Sequence, residues 1–142
     1  MRYLLDTSVL RELGRTDPHQ HVDAWKATVD DADLFLSVLT VREVVKGVEK
    51  LRIKKSDVAA DLEAKVNTIF AAFSDRIMPV DEAVARLWGR FIATSEKHVT
   101  DYGIAATALV HDLIVVTRNT KDFRNLGVRL LNPFKSPPEN LS

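Results

Sequence analysis

Four acidic residues occupy similar positions relative to the apolar segments of this chain: Asp6, Glu43, Asp101 and Asp122. Each lies where a strand-like apolar run gives way to a helix, or where a helix opens. In an open parallel sheet, the carboxyl ends of the strands and the starts of the following helices form one rim, and ligands bind there. Four carboxylates that meet on this rim would form a site for divalent cations that prefer oxygen ligands.

Each of these acids also has a purely structural explanation. Thr40 followed by Glu43 fits a capping box, in which the glutamate reaches back to a free backbone N–H. Asp101 and Asp122 could each be a first-turn acid that favours the helix dipole. Asp6 is harder to explain in this way, because it directly follows two buried leucines and an unpaired charge is costly to desolvate there, so a positive group is expected to face it. The mapping of all four acids onto one rim favours a shared site over separate caps.

The composition restricts the class of protein. The chain has 142 residues, of which 46% are hydrophobic, and this suits a single globular domain with a sizeable core. The formal net charge is zero, so any contact with nucleic acid must be local. There are no cysteines, which excludes disulfides, thiolate zinc sites and a cysteine nucleophile. The apolar run at the N-terminus stops at Asp6, too early for a signal peptide or a membrane span, so we expect a cytoplasmic protein.

Short apolar runs alternate with segments of helical periodicity, and this pattern predicts an α/β fold with a mainly parallel sheet of four to five strands. The predicted helices cover residues 8–13, 18–29, 40–53, 56–73, 81–92 and 100–110, and the predicted strands cover residues 3–5, 34–36, 77–78, 113–116 and 128–131. Residues 1–135 are predicted to form one domain. Residues 136–142 are predicted to be a flexible C-terminal tail, because the prolines from Pro133 to Pro138 cannot continue a sheet.

The residues around the four acids resemble those of PIN-domain nucleases, and the match extends nearly end to end. It rests on YLLDTSVL at residues 3–10, VREV at 41–44, TDYGIAATA at 100–108 and VTRNTKDF at 116–123. In detail the chain is most similar to the VapC-type toxins of toxin–antitoxin modules, whose late segment ends in a similar Asn-Pro-Phe, here residues 132–134. This resemblance implies a PIN-like three-layer α/β/α fold.

The resemblance also implies an activity. The protein would be an endoribonuclease that depends on Mg²⁺ or Mn²⁺ and cuts single-stranded or looped RNA, inhibiting translation and growth. By motif matching, Asp6 and Asp101 would bind the metal directly, Asp122 would complete the metal sphere, and Glu43 would act through a bound water. A cognate VapB-type antitoxin and a homodimer are implied as partners. The surplus of large apolar residues on the two helices at 56–73 and 81–92 predicts that some of Phe70, Phe73, Trp88 and Phe91 lie in the dimer interface, with plain core packing as the alternative.

Further residues of the matched motifs have predicted supporting roles. Thr7 and Thr117 could supply hydroxyl groups near the scissile phosphate, and Asn119 could hold Asp122 in place. The chain departs from the family after the third acid, where Gly103 could allow close approach of backbone to substrate. His98 lies close to Asp101 in the sequence, but a position in a surface loop is the favoured interpretation.

Other functions remain open from the sequence. A PIN-like fold can serve as a non-catalytic nucleic-acid-binding module, or as a housekeeping RNA-processing nuclease. A phosphatase is disfavoured because no glycine-rich phosphate loop follows the first strand. The basic residues at the end of the third predicted helix are either a ridge that follows the RNA backbone or a solvated helix end: Lys46, Lys50, Arg52, Lys54 and Lys55.

Overall fold

The computed structural model describes residues 1–141 and is built around one twisted sheet. The sheet has six strands: β1 (Tyr3–Leu5), β2 (Leu34–Ser37), β3 (Ile77–Met78), β4 (Ile114–Val116), β5 (Leu130–Asn132) and β6 (Glu139–Leu141). Their spatial order is β3-β2-β1-β4-β5-β6, and every pairing is parallel except that of β5 with β6. The predicted α/β class with a mainly parallel sheet is therefore confirmed.

Six α-helices follow the strands and cover both faces of the sheet. They are α1 (Thr7–Leu13), α2 (Gln20–Lys26), α3 (Val38–Lys54), α4 (Ser56–Ala72), α5 (Glu82–Ile92) and α6 (Val99–His111). A short 3-10 helix (Thr120–Phe123) joins β4 to β5. None of the helices within residues 1–141 is long and apolar enough to cross a membrane.

The central strands β1 and β4 separate two cores. Leu4 and Val115 belong to one core cluster, with residues of α6, whereas Leu5 and Val116 belong to the other, with residues of α1 and α2. Successive residues of a strand point to opposite faces, so a strand that is covered on both sides must be apolar throughout. All four side chains are fully buried. This confirms the three-layer arrangement of helix, sheet and helix.

The C-terminal segment corrects one prediction. The sheet has six strands rather than four or five, because Glu139–Leu141 pairs antiparallel with β5 instead of forming a flexible tail. Leu130 lies opposite Leu141, which packs against the first core cluster. The argument that prolines cannot continue a sheet applies only up to Pro138, and the strand begins at the next residue. Residue 142 lies outside the described residues.

Gly103 allows α6 to pack closely against α3 and α5. A Cβ atom at this position would lie 2.4 Å from Leu39 Cδ1 and 2.8 Å from Trp88 Cε2. The close approach is therefore between helices, and the expected approach of this glycine to substrate is wrong. The same packing explains why a glycine is tolerated inside a helix, where it costs up to about 1 kcal/mol relative to alanine.

This packing predicts the effect of Gly103→Ala. The added methyl group must displace Leu39 or Trp88, so the free energy of unfolding should fall by about 1 to 3 kcal/mol. Urea denaturation measures this change. Gly89→Ala is the matched control, because a Cβ atom there meets nothing within 4 Å, and alanine should leave stability unchanged or raise it by up to about 1 kcal/mol. Equal effects of the two substitutions would contradict the packing argument.

Candidate active site

The carboxyl ends of β1, β2 and β4 place the four predicted acids around one rim of the sheet. Asp6 directly follows β1 and forms the N-cap of α1. Glu43 lies in the second turn of α3, and Asp101 lies in the first turn of α6. Asp122 lies in the 3-10 helix after β4. Parallel strands that share one polarity bring these elements to the same edge, as expected for this sheet type.

Asp6 is the most buried of the acids, with 7% of its surface exposed. Its Oδ1 accepts a hydrogen bond of 2.8 Å from the Thr7 backbone N–H, and its Oδ2 accepts one of 2.8 Å from the Thr117 hydroxyl and one of 3.4 Å from the Ser8 hydroxyl. Burial raises the pKa of Asp6, and these hydrogen bonds oppose the rise. The donors that contact Asp6 within the chain are uncharged, so the expected positive group is left to the metal ion proposed below.

The pKa of Asp101 reflects both its burial and the nearby acids. Burial is the main cause that raises its pKa to about 6, and the neighbouring charges of Asp6 and Asp122 add to the rise. Glu43 makes a smaller contribution in the same direction, whereas His98 opposes it. Like charges that crowd one carboxyl group favour its protonated form. The structure therefore brings the other three acids within electrostatic range of Asp101.

His98 lies next to two of these acids, whereas the sequence interpretation favoured a surface-loop histidine. The residue precedes α6 in a left-handed backbone conformation, with a φ of 54°. Its Nδ1 lies 3.7 Å from Asp101 Oδ2, and its Nε2 lies 3.8 Å from Asp122 Oδ1. The one signal in the sequence was the spacing of three between His98 and Asp101, which places the two on the same side of a helical turn.

These side chains fit a divalent cation. His98, Asp101 and Asp122 each offer one ligand atom, and the three atoms lie within 4.8 Å of one another. Two carboxylate oxygens match a hard cation such as Mg²⁺ or Mn²⁺, and an imidazole nitrogen extends the choice to softer first-row metals. The negative charge that raises the pKa of Asp101 would be neutralised by such an ion.

Glu43 does not take part in a capping box. The helix α3 begins at Val38, and Ser37 forms its N-cap by accepting from the Leu39 backbone N–H at 3.0 Å. Thr40 is thus inside the helix, and Glu43 lies beyond the free N–H groups of the first turn. The capping explanation for Glu43 is therefore wrong.

Arg42 is a component of the site that the sequence interpretation missed. Its Nη2 donates to Glu43 Oε1 at 3.0 Å and to Thr100 Oγ1 at 2.7 Å. The guanidinium group thereby connects α3 to the start of α6, one residue before Asp101. No periodicity in the sequence indicates this contact, because the two helices are far apart along the chain.

The predicted supporting residues lie at the rim, but their contacts differ from expectation. The Thr117 hydroxyl donates to Asp6 and accepts from the Asn119 backbone N–H at 3.0 Å, so it positions the acid. Thr7 contacts Asp6 through its backbone N–H. Asn119 contacts Asp122 through its backbone carbonyl, which accepts from the Asp122 N–H at 3.1 Å. Its side chain does not cap the 3-10 helix.

The raised pKa of Asp101 predicts how the stability of the metal-free protein depends on pH. A carboxyl group whose pKa is higher in the folded state stabilises the fold while it is protonated. That contribution is complete below the ordinary value of 3.8 and is lost as the pH rises through about 6. Asp101→Asn should therefore be more stable than the unsubstituted protein at neutral pH, by about 1 to 3 kcal/mol, and the difference should vanish near pH 4.

Urea denaturation in EDTA across this pH range measures the difference. Asp61→Asn, at an exposed position on α4, is the control and should show a constant difference from the unsubstituted protein. If the unsubstituted protein instead became more stable than Asp101→Asn as the pH rises, Asp101 would not lie in a crowded acidic site.

Comparisons with known proteins agree with this fold. The family model of the PIN domain matches residues 3–128. Toxin FitB of Neisseria gonorrhoeae is 36% identical over 137 residues, which cover 92% of this chain and 97% of that protein. VapC ribonuclease Y4jK of Sinorhizobium fredii is 32% identical over 139 residues, which cover 93% of this chain and 97% of that protein.

A solved structure extends the likeness to three dimensions. The crystal structure of FitAcB from Neisseria gonorrhoeae contains a chain that aligns with a TM-score of 0.82 and 35% identity, over 93% of this chain and 98% of that one. The family model, the identities and the shared fold cover nearly the whole length of the chain. We conclude that this chain belongs to the PIN-domain family.

Proposed function

We propose that this protein is a metal-dependent endoribonuclease of the VapC type, which hydrolyses phosphodiester bonds in RNA and thereby inhibits translation and growth. The observation that carries the proposal is the meeting of four carboxylates at one rim, in a chain whose relatives are named as a toxin and as a ribonuclease. A non-catalytic binding module would have no evident use for this crowding of acids, because nearby like charges disfavour the ionised form of Asp101 when no cation is bound.

Asp6, Asp101 and Asp122 are the residues that would hold Mg²⁺ or Mn²⁺, with Glu43 at the edge of the site and His98 beside Asp101 and Asp122. When bound, the ion would make a nucleophilic water more acidic and would neutralise charge on the leaving oxygen. The chain itself supplies orientation. The Thr117 hydroxyl and the Thr7 N–H hold both oxygens of Asp6 in place before any ligand arrives.

The proposal predicts that Asp6→Asn abolishes RNA cleavage. Loss of a group that only hydrogen-bonds to a metal ligand lowers activity about 10- to 100-fold, and loss of a direct metal ligand should lower the cleavage rate by more than this. The fold should stay intact, because the substitution removes one of several repelling charges. The measurement is cleavage of labelled single-stranded RNA with and without Mn²⁺. A chromogenic phosphate ester in parallel reactions identifies a general phosphatase.

A matched control removes a carboxylate from elsewhere on the surface. Glu82→Gln on α5 changes an acid that is 79% exposed, and it should leave cleavage unchanged. Millimolar Mn²⁺ should also raise the melting temperature of the unsubstituted protein, because the ion binds only the folded state, and the rise should be smaller in Asp6→Asn. Undiminished cleavage by Asp6→Asn would refute the site assignment.

We further propose that a small VapB-type antitoxin neutralises the enzyme. An apolar groove of about 780 Å³ runs between α1, α3 and α4, and Glu43 lies on its wall next to Val44 and Gly47. An antitoxin segment in this groove would end beside the acids, where an Arg or Lys could take the place of the cation. The solved structures similar to this chain include VapBC-5 from Mycobacterium tuberculosis, a member of the VapBC family of toxin-antitoxin systems, at 26% identity.

The groove predicts a toxin variant that escapes its antitoxin. A Cβ atom at Gly47 meets nothing within 4 Å, so Gly47→Trp can fill the groove without disturbing the core. Expression of this variant should arrest growth, and co-expression of the protein encoded by a neighbouring small reading frame should no longer rescue it. Gly47→Ala is the control and should still be rescued. Full rescue of Gly47→Trp would exclude the groove as the docking site.

We also propose that the protein forms a homodimer. The large aromatic residues of α4, of its C-cap and of α5 are only half-buried, although each packs against one of the two core clusters. Their remaining exposed surface would be covered by a second copy. The residues concerned are Phe70, Phe73, Trp88 and Phe91.

A further inference from the structure

A second groove lies beside the acidic site, and its lining is basic. It is open, has a volume of about 580 Å³, and lies between the 3-10 helix and the antiparallel strand β6. Its cationic side chains are Arg118, Lys121, Arg124 and Lys135, and its one acidic side chain is Glu139. We call this feature the basic groove.

Most of the positive charge in the basic groove is uncompensated. Lys135 Nζ lies 3.0 Å from Glu139 Oε2, so these two charges neutralise each other. Within residues 1–141, no acidic side chain forms an ion pair with Arg118, Lys121 or Arg124. In a chain whose formal net charge is zero, three unpaired cations in one groove form a local positive field.

The basic groove is continuous with the acidic site through the backbone. Lys121 directly precedes Asp122, and Arg118 directly follows Thr117, whose hydroxyl donates to Asp6. The Arg118 guanidinium lies over the Phe134 ring, 4.5 Å from its centroid, and this contact fixes its direction. The segment at residues 117–122 therefore contributes both to the acidic site and to the basic groove.

We propose that the basic groove binds the phosphate backbone of single-stranded RNA on one side of the scissile bond. This inference rests on the proposed ribonuclease function and adds the path of the substrate to it. Four carboxylates repel RNA, and a neighbouring row of cations offsets this repulsion without entering the site. Because phosphate contacts are independent of base identity, Lys121 and Arg124 would position RNA of any sequence.

The far end of the competing basic ridge on α3, from Arg52 to Lys55, is less suited to this role. The Arg52 guanidinium is bonded to Glu49 and, at 2.7 Å, to Glu63, so its charge is compensated. Lys54 is eleven residues from Glu43 on the same helix, a distance of about 16 Å along the helix axis. The ridge thus provides control positions of equal charge, Lys54 and Lys55, both of which are exposed.

The experiment compares two double variants in an Asp101→Asn background, in which RNA stays intact. Fluorescence anisotropy with a labelled single-stranded RNA of about 12 nucleotides gives the affinity at several salt concentrations. Lys121→Gln with Arg124→Gln should bind about tenfold more weakly near 0.1 M salt, and its slope of log affinity against log salt should be shallower by about 1.4. Lys54→Gln with Lys55→Gln should change neither quantity.

The possible results distinguish failure of the basic-groove proposal from failure of the proposed ribonuclease function. All four substituted side chains are exposed, and melting curves of both double variants verify that they fold. Unchanged affinity and slope in the groove variant, or an equal loss in the control variant, would overturn the proposal. Failure of the protein with Asp101 intact to cut RNA would refute the ribonuclease function alone, because binding is read without cleavage.

Discussion

The parallel pairing of β1 with β4 is the constraint on which the site depends. The register places Leu5 beside Val116, and the Asp6 N–H donates to the Val116 carbonyl at 2.9 Å. Asp6 and Thr117 therefore leave the sheet side by side, and the hydroxyl can reach the carboxylate. A shift of one strand by one residue would separate the two side chains, and the hydroxyl could no longer reach the carboxylate. The register of β1 with β4 thus fixes the position of the acid.

The charges of the molecule are separated rather than paired around this site. The acids crowd together enough to raise the pKa of Asp101 to about 6. Two nitrogen-bearing side chains approach from the sides: Arg42 contacts Glu43 at the edge, and His98 lies between Asp101 and Asp122. A neutral chain can in this way present a strongly negative centre to a cation and a positive flank to a polyanion.

Much of this structure could be predicted from the sequence because it depends on local patterns. Alternating apolar runs indicated the class of fold, and the position of each acid after such a run indicated the shared rim. The predictions failed where distant segments decide the outcome. The strand Glu139–Leu141 forms because one edge of β5 is available for pairing. A rule about where prolines interrupt a sheet does not show that such an edge exists.

The contacts of single side chains were equally hard to predict. Arg42 meets Thr100 across 58 residues of sequence, and Gly103 is explained by Leu39 and Trp88 on other helices. His98 joins the site through a left-handed backbone conformation that its sequence neighbours do not signal. In each case the partner is fixed by the packing of helices on the sheet, which periodicity along one segment does not specify.

The order of the strands has a consequence for the synthesis of the protein. The strand β1 is synthesised first and pairs with β2 on one side and with β4 on the other. Ile114 of β4, which pairs with Tyr3, is translated more than a hundred residues after Tyr3. Asp6 and Asp122 likewise come from opposite ends of the chain. Contacts of such long sequence separation form late, because loop closure must precede them. Nascent chains and prematurely terminated products therefore lack the assembled site, and a ribosome that makes this protein meets the complete acidic cluster only when synthesis is nearly finished.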